Sequence, residues 1–214
     1  MSDRPVISVI LPTIRPHLIE ACINRWVPAL RTVSTELIVV ADFPAPFPFN
    51  RGLWLVQERQ GATAATALGY HASRGDYVFA INDETTPDPD ILIRLLEAAE
   101  AQLELRLLTP RHEPAYPFFY YGLPFAPFPF GKWILFKKLG GFFDTAYKAF
   151  YADPDLSLRA HANSVPVEVV PRAVIHHAND ITRPDHIEAV SSYLAADREL
   201  FRSRWDHLGE FRDP

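Results

Sequence analysis

Where the apolar run Tyr77-Val-Phe-Ala-Ile81 ends, the chain sets Asn82-Asp83-Glu84, an amide and two carboxyls in a row. Such residues at the mouth of a buried strand have two uses: they form a turn, or they hold something positively charged. Other chemistry-bearing residues occupy the same kind of position. Pro12-Thr13-Ile14-Arg15 follows Val6–Leu11, Asp42 follows Glu36–Ala41, and His176-His177 closes the segment VPVEVVPRAVIHH. None of these ends carries a Gly-x-Gly-x-x-Gly or Walker-type loop, which argues against a dinucleotide dehydrogenase or a P-loop ATPase. A phosphate ligand would then be reached through a cation held by acids, which points to a divalent metal.

These residues need a frame that brings strand ends together. Val6–Leu11, Glu36–Ala41, Leu53–Val56 and Tyr77–Ile81 are short, nearly continuous apolar runs, as in strands covered on both faces. Between them lie helical patterns. Ile19, Cys22, Ile23, Trp26 and Leu30 recur at helical spacing, and Ala64, Ala65, Leu68 and Ala72 form a small-residue stripe suited to close packing on a sheet. A third helix is predicted from Asp88-Pro89, with Leu92, Leu95, Leu96 and Ala99 inward. Strand–helix alternation predicts a mostly parallel, Rossmann-like α/β sheet flanked by helices, whose ligands bind beyond the carboxyl ends of the strands. Further on, a strand at Leu103–Thr109, a helix opening at Asp153-Pro154, a strand pair around VPVEVVPRAVIHH and a final helix at 187–205 are predicted.

The 214 residues suffice for a proper core, and 48% hydrophobic with 22% charged usage excludes disordered and fibrous classes. A net charge of −5 weighs against non-specific binding to nucleic-acid backbones. The single cysteine, Cys22, excludes an internal disulfide or thiolate metal cluster and is read as core packing. The uncharged aromatic stretch Ala115–Gly131 is no membrane span, because Pro117, Pro124, Pro127 and Pro129 would leave backbone unpaired in lipid. The chain opens directly into strand-like sequence, so a cytoplasmic location is expected.

In order and spacing, the segments ISVILPTIRP, ELIVVADFPAP, RQGATAATALGYHASRGDYVFAINDETTPDPDIL, LGGFFDTAYKAFYADPDLSLRAHA and VPVEVVPRAVIHH resemble the family-two, inverting glycosyltransferases of the GT-A fold. The resemblance runs from about Val6 to His177 and extends to the closing helix with Trp205. It implies one GT-A domain over 1–214, with a nucleotide-sugar-binding half at 1–109, an acceptor and catalytic half at 110–180 and a C-terminal helix at 181–214. By that resemblance Thr13 and Arg15 lie against the nucleotide and Asp42 accepts the imide N–H of uracil or thymine, a UDP-sugar being the expected donor. Asn82-Asp83-Glu84 stands for the Asp-x-Asp type motif, with Asp83 near the ribose and Glu84 as metal ligand. The second metal contact is His177, with His176 on the opposite strand face. Asp153 is the general base, and the cofactor is Mn²⁺ or Mg²⁺. The motif departs from the family's commonest form. Asn82 carries no charge, and Glu84 is one methylene longer than aspartate, which sets a cation further out.

Each assignment has a structural competitor. Asp153-Pro154 is equally a helix cap, Asn82-Asp83-Glu84 a turn, and the histidines a packed or solvated pair. The aromatic loop 116–130, with Phe118, Phe119, Tyr120, Tyr121, Phe125, Phe128 and Phe130, either roofs the core or forms an acceptor platform. At the level of function, three readings are carried. The first is a metal-dependent inverting glycosyltransferase acting on an acceptor hydroxyl. The second is a catalytically weak or inactive sugar-nucleotide-binding protein of the same fold. The third is a transferase whose acceptor is a modified DNA base or a lipid carrier.

Overall fold

The computed structural model describes residues 4–115, 119–178 and 182–212. Its first half alternates as the apolar pattern predicts: β1 (Ile7–Thr13), α1 (Ile19–Leu30), β2 (Thr35–Ala41), β3 (Gly52–Val56), α2 (Ala62–Ala72) and β4 (Tyr77–Ala80). All four strands are parallel, in the order β3-β2-β1-β4. β1, β2 and β4 are buried along almost their whole length, the reason they read as unbroken apolar runs. Helix α1 covers one face with Cys22 and Trp26 fully enclosed, and Trp26 satisfies its indole N–H on Thr85 Oγ1 at 3.1 Å. The small-residue stripe of α2 lies tight on the other face. A Cβ on Gly69 would stand 2.5 Å from Ile10 Cγ2, so the helix can approach this closely only without one.

The second half closes the sheet. It comprises β5 (Thr85–Pro87), α3 (Ile91–Glu100), β6 (Leu107–Glu113), the hairpin β7 (Phe119–Tyr120) and β8 (Leu123–Pro124), then β9 (Phe130–Lys132) and α4 (Trp133–Lys138). It ends with α5 (Ala152–Ala162), β10 (Val167–His177), α6 (Pro184–Trp205) and a 3₁₀ turn at Asp206–Leu208. The full order is β3-β2-β1-β4-β9-β6-β10-β5, with β9 antiparallel between β4 and β6.

Four elements depart from the sequence reading. The helix predicted from Asp88 begins at Ile91, because Thr85–Pro87 still pairs with β10 and Asp88 N–H bonds Val174 O at 3.0 Å. The strand predicted at Leu103–Thr109 lies four residues later, where the buried residues are. The predicted strand pair is one bent strand: β10 runs parallel to β6 through Val170, skips Pro171-Arg172-Ala173 as a bulge, and resumes at Val174. Helix α6 begins three residues earlier than expected, with Pro184 in its first turn.

Most of the described aromatic loop is roof. Tyr120, Phe125, Phe128 and Phe130 are buried, and Tyr120 and Phe125 join Tyr147, Tyr151 and Phe201 in an aromatic cluster. Phe119 is 53% exposed; Phe118 lies outside the described residues.

Candidate active site

Strand register assembles the site. Ile10 pairs with Ala80 and Thr13 with Ala41, so three residues beyond Ala80 the side chain of Asp83 comes level with Thr13, and Asp42 stands just past the same line. At the far end of the sheet, His177 pairs with Thr85, the residue after Glu84. The bulge in β10 makes this possible, turning its last residues towards β5. A cavity of about 360 Å³ opens over these ends, at the point where the strand order reverses from β1 to β4.

Thr13, Arg15, Asp42, Asn82, Asp83, Glu84 and His177 all line this one cavity. Thr13 Oγ1 donates to Asp83 Oδ2 at 2.5 Å and accepts the Arg15 backbone N–H at 3.1 Å. Arg15 Nε donates to Asp83 Oδ2 at 2.8 Å, and its guanidinium pairs with the other oxygen. Asp83, 1% exposed at its side chain, is thus fully engaged within the protein. Arg15 Nη1 also reaches Glu84 Oε1 at 2.6 Å and Asp185 Oδ2 at 2.9 Å. Arg183 pairs with the same Glu84 oxygen. Asp42 is exposed at the cavity rim.

The two oxygens of Glu84 have separate duties. Oε1 is shared by the two guanidinium groups, whereas Oε2 faces His177 Nε2 at 3.5 Å. Burial, helped by the charge of Arg15, pushes the His177 imidazole down to about 4, so it is neutral at pH 7 and keeps a lone pair. His176 points away as strand alternation requires; it is exposed, 3.4 Å from Asp88. Among the described residues no three His, Cys, Asp or Glu side chains surround one point. Glu84 Oε2 and His177 Nε2 therefore fit a divalent cation as a two-donor half-site. That is how Mg²⁺-type ions are commonly held when substrate phosphates and water complete the shell. Three carboxylates (Asp83, Glu84, Asp185) face two guanidinium groups and a neutral imidazole, so the site keeps a residual negative charge that a cation offsets.

Asp153 does not line the cavity, although the segment leading to it does, through Ala149 and Phe150. Helix α5 starts at Ala152 with Tyr151 at its N-cap in the left-handed conformation (φ 62°), so Asp153 lies inside the first turn and makes no side-chain cap. The capping reading is thereby replaced. The carboxyl is set among buried neighbours, and that burial pushes it up to about 7. Asp155 is structural. It is 1% exposed and accepts from Arg159 Nε at 2.9 Å, Trp205 Nε1 at 3.0 Å and Tyr147 Oη at 3.2 Å, tying α5 to α6.

Four contributors were missed in the sequence. Arg183 and Asp185 fall before the predicted start of the last helix, and their Arg-Pro-Asp spelling looks like an ordinary helix opening. Asp197 reads as a solvated helix charge; it is instead 2% exposed and accepts three consecutive backbone N–H groups, Lys148 at 3.0 Å and Ala149 and Phe150 at 2.9 Å. Its carboxylate therefore holds the loop that walls the cavity and leads into Asp153. The fourth is His112, whose Nε2 lies 3.3 Å from His177 Nδ1.

Neither a family model nor the sequence of a curated protein matches the chain. Solved structures do. The mannosyltransferase PcManGT from Pyrobaculum calidifontis, in complex with GDP-Man and Mn²⁺, superposes with a TM-score of 0.72 at 18% identity, over 98% of this chain. The fold is that of the GT-A glycosyltransferases. S. aureus TarS superposes at 0.60 with 12% identity, over 94% of this chain and 43% of its own. TarS residues 1–349 give 0.61 at 13%, over 94% and 74%. The chain spans 66% of the length of PcManGT. No helix among the described residues is long and apolar enough to cross a membrane.

Proposed function

We propose that this chain is an inverting glycosyltransferase that moves a sugar from a nucleoside-diphosphate donor to an acceptor hydroxyl with the help of Mn²⁺ or Mg²⁺. The observation that carries the reading is the convergence of Glu84, just before β5, and His177, at the end of the neighbouring strand β10, in a cavity at the switch point of the sheet. Glu84 and His177 would hold a divalent cation there, which would supply Lewis-acid stabilisation of the departing diphosphate. The chain's own residues do the rest. Arg15 and Arg183 present guanidinium groups to the same cavity, suited to diphosphate oxygens. Asp42, at the rim, accepts the imide N–H of uracil. Guanine is the second reading, because its N1–H offers the same donor and PcManGT holds GDP-Man.

Asp153 takes the proton of the acceptor hydroxyl. A carboxyl with a pKa of about 7 is half ionised at neutral pH and basic enough to accept it, a contribution of roughly 10²–10⁴-fold. Attack from the side of Asp153, opposite the diphosphate, inverts the anomeric centre. Calorimetric titration of UDP and GDP with and without Mn²⁺, beside release of nucleotide from a panel of UDP- and GDP-sugars, tests the proposal. Binding that needs Mn²⁺ and is lost in Glu84→Ala is expected; metal-indifferent binding in both proteins sinks the cation site. A protein that binds nucleotide and releases none from any donor is the inactive binding module instead.

A further inference from the structure

The imidazole of His177 is one link in a hydrogen-bonded chain whose polarity is set at both ends. At one end, His112 Nδ1 lies 2.6 Å from the carbonyl oxygen of Pro114. A carbonyl only accepts, so Nδ1 carries the proton. With the ring proton on Nδ1, the Nε2 of His112 is the acceptor. That Nε2 faces His177 Nδ1 at 3.3 Å, which must then be the donor. At the other end, the Glu84 backbone N–H bonds Asn82 Oδ1 at 3.2 Å, which orients the amide and turns its NH₂ to His177 Nε2 at 3.0 Å. Both ends give the same answer: His177 is protonated on Nδ1 and bare on Nε2, the atom that faces Glu84 Oε2. Phe128 fixes the two rings, stacked on His112 (centroids 5.9 Å, 14°) and edge-on to His177 (5.5 Å, 89°).

We infer that His112 is a positioning residue: it locks His177 in the Nδ1–H tautomer so that the Nε2 lone pair is presented to a divalent cation beside Glu84, displacing the Asn82 N–H. This rests on the cation reading above. Outer partners that orient a ligating histidine typically account for 10–100-fold in metal affinity. His112→Phe keeps the stack on Phe128 and removes the acceptor, whereas His112→Gln keeps an acceptor amide oxygen.

Two measurements test the role. In protein labelled with ¹⁵N-histidine, ring-nitrogen shifts assigned through His177→Ala should report Nδ1–H and bare Nε2 for His177 in the wild type, and a tautomer mixture in His112→Phe. Mn²⁺ affinity, read by electron paramagnetic resonance with UDP or GDP present, should fall 10–100-fold in His112→Phe and stay within about threefold of wild type in His112→Gln. A wild-type His177 protonated on Nε2 overturns the inference. So does a His112→Phe protein that binds Mn²⁺ like the wild type while His177→Ala does not; the cation site then stands and only the positioning role falls. A wild type that binds no Mn²⁺, or a His177→Ala protein that binds it unchanged, removes the cation site and the role with it.

Discussion

Removing the carboxylate of Asp197 should damage both stability and catalysis, although this residue neither lines the cavity nor sits near Asp153 in sequence. Its two oxygens accept Lys148, Ala149 and Phe150 N–H groups at 2.9–3.0 Å in a site 2% exposed. Hydrogen bonds to a charged acceptor contribute about 1.5–3 kcal/mol each and do not add fully, since the freed loop can recover water. Asp197→Ala, which leaves three donors without a partner, should therefore cost about 3–5 kcal/mol. Asp197→Asn keeps the shape but turns an NH₂ towards one of the donors and should cost about 1.5–3 kcal/mol. At the 2–4 °C per kcal/mol typical of this chain length, the alanine variant melts roughly 10 °C lower. Urea unfolding with a matched slope gives the energies, and steady-state kinetics give the consequence. Ala149 and Phe150 wall the cavity proposed to take the donor and Asp153 follows them, so KM for the donor should rise and kcat fall together. An Asp197→Ala protein within about 0.5 kcal/mol of wild type would refute the claim that this carboxylate organises the loop.

Other predictions follow from the same geometry. Asp153→Asn should lose 10²–10⁴-fold in transfer while folding normally, and the wild-type rate should rise with pH through about 7, a limb the variant lacks. The same raised pKa acts on stability with the opposite sense. The native state binds the Asp153 proton between about 4 and 7 while the unfolded chain has released it, so this residue's contribution falls as pH rises through that window. Relative to wild type, Asp153→Asn should thus be more stable at pH 8 than at pH 4, measured by thermal melts at both; an unchanged difference would mean the carboxyl titrates normally. Glu84→Ala should abolish Mn²⁺-dependent nucleotide binding by calorimetry, while Asp88→Ala, paired only with exposed His176 among these groups, should leave it intact. Arg183→Gln should move two affinities in opposite directions: Mn²⁺ alone binds tighter once a guanidinium leaves Glu84, and nucleoside diphosphate binds about tenfold weaker with Mn²⁺ present. Loss of both would indicate mere disruption.

The parallel half of the fold was legible because four strands buried on both faces have to be written as apolar runs, and the residues following such runs have to meet at one edge of the sheet. That reasoning found Thr13, Arg15, Asp42 and Asn82-Asp83-Glu84 together, and the structure places them on one cavity. Legibility failed wherever backbone pairing overrode side-chain pattern. Asp88-Pro89 has the spelling of a helix start, yet its backbone is still held by β10 through Val174. The bulge at Pro171-Arg172-Ala173 split β10 in the sequence reading because proline interrupts the apolar alternation, while the pairing resumes beyond it. Asp197 could not be seen at all. A charge on an amphipathic helix is solvated by default, and only the chain folding back from residues 148–150 makes it an acceptor for three N–H groups.

Charge balance links the missed residues to those that were found. A motif with asparagine in place of its first acid binds a cation less strongly by itself. Here Asp185, brought in by α6, adds a third carboxylate, but it arrives with Arg183, which occupies Glu84 Oε1. On the proposed function, the guanidinium groups and a cation would compete for one carboxylate, and the diphosphate would decide the contest, because it attracts both. If the cation and the donor both bind here as proposed, they should bind cooperatively, each lowering the cost of releasing Glu84 from its arginines. Raising UDP or GDP should then tighten Mn²⁺, and raising Mn²⁺ should tighten the nucleotide by the same factor, as linkage demands. Equal Mn²⁺ affinity with and without saturating nucleotide would show that the two do not share Glu84, and the account of this site as an exchange between arginine and metal would fall.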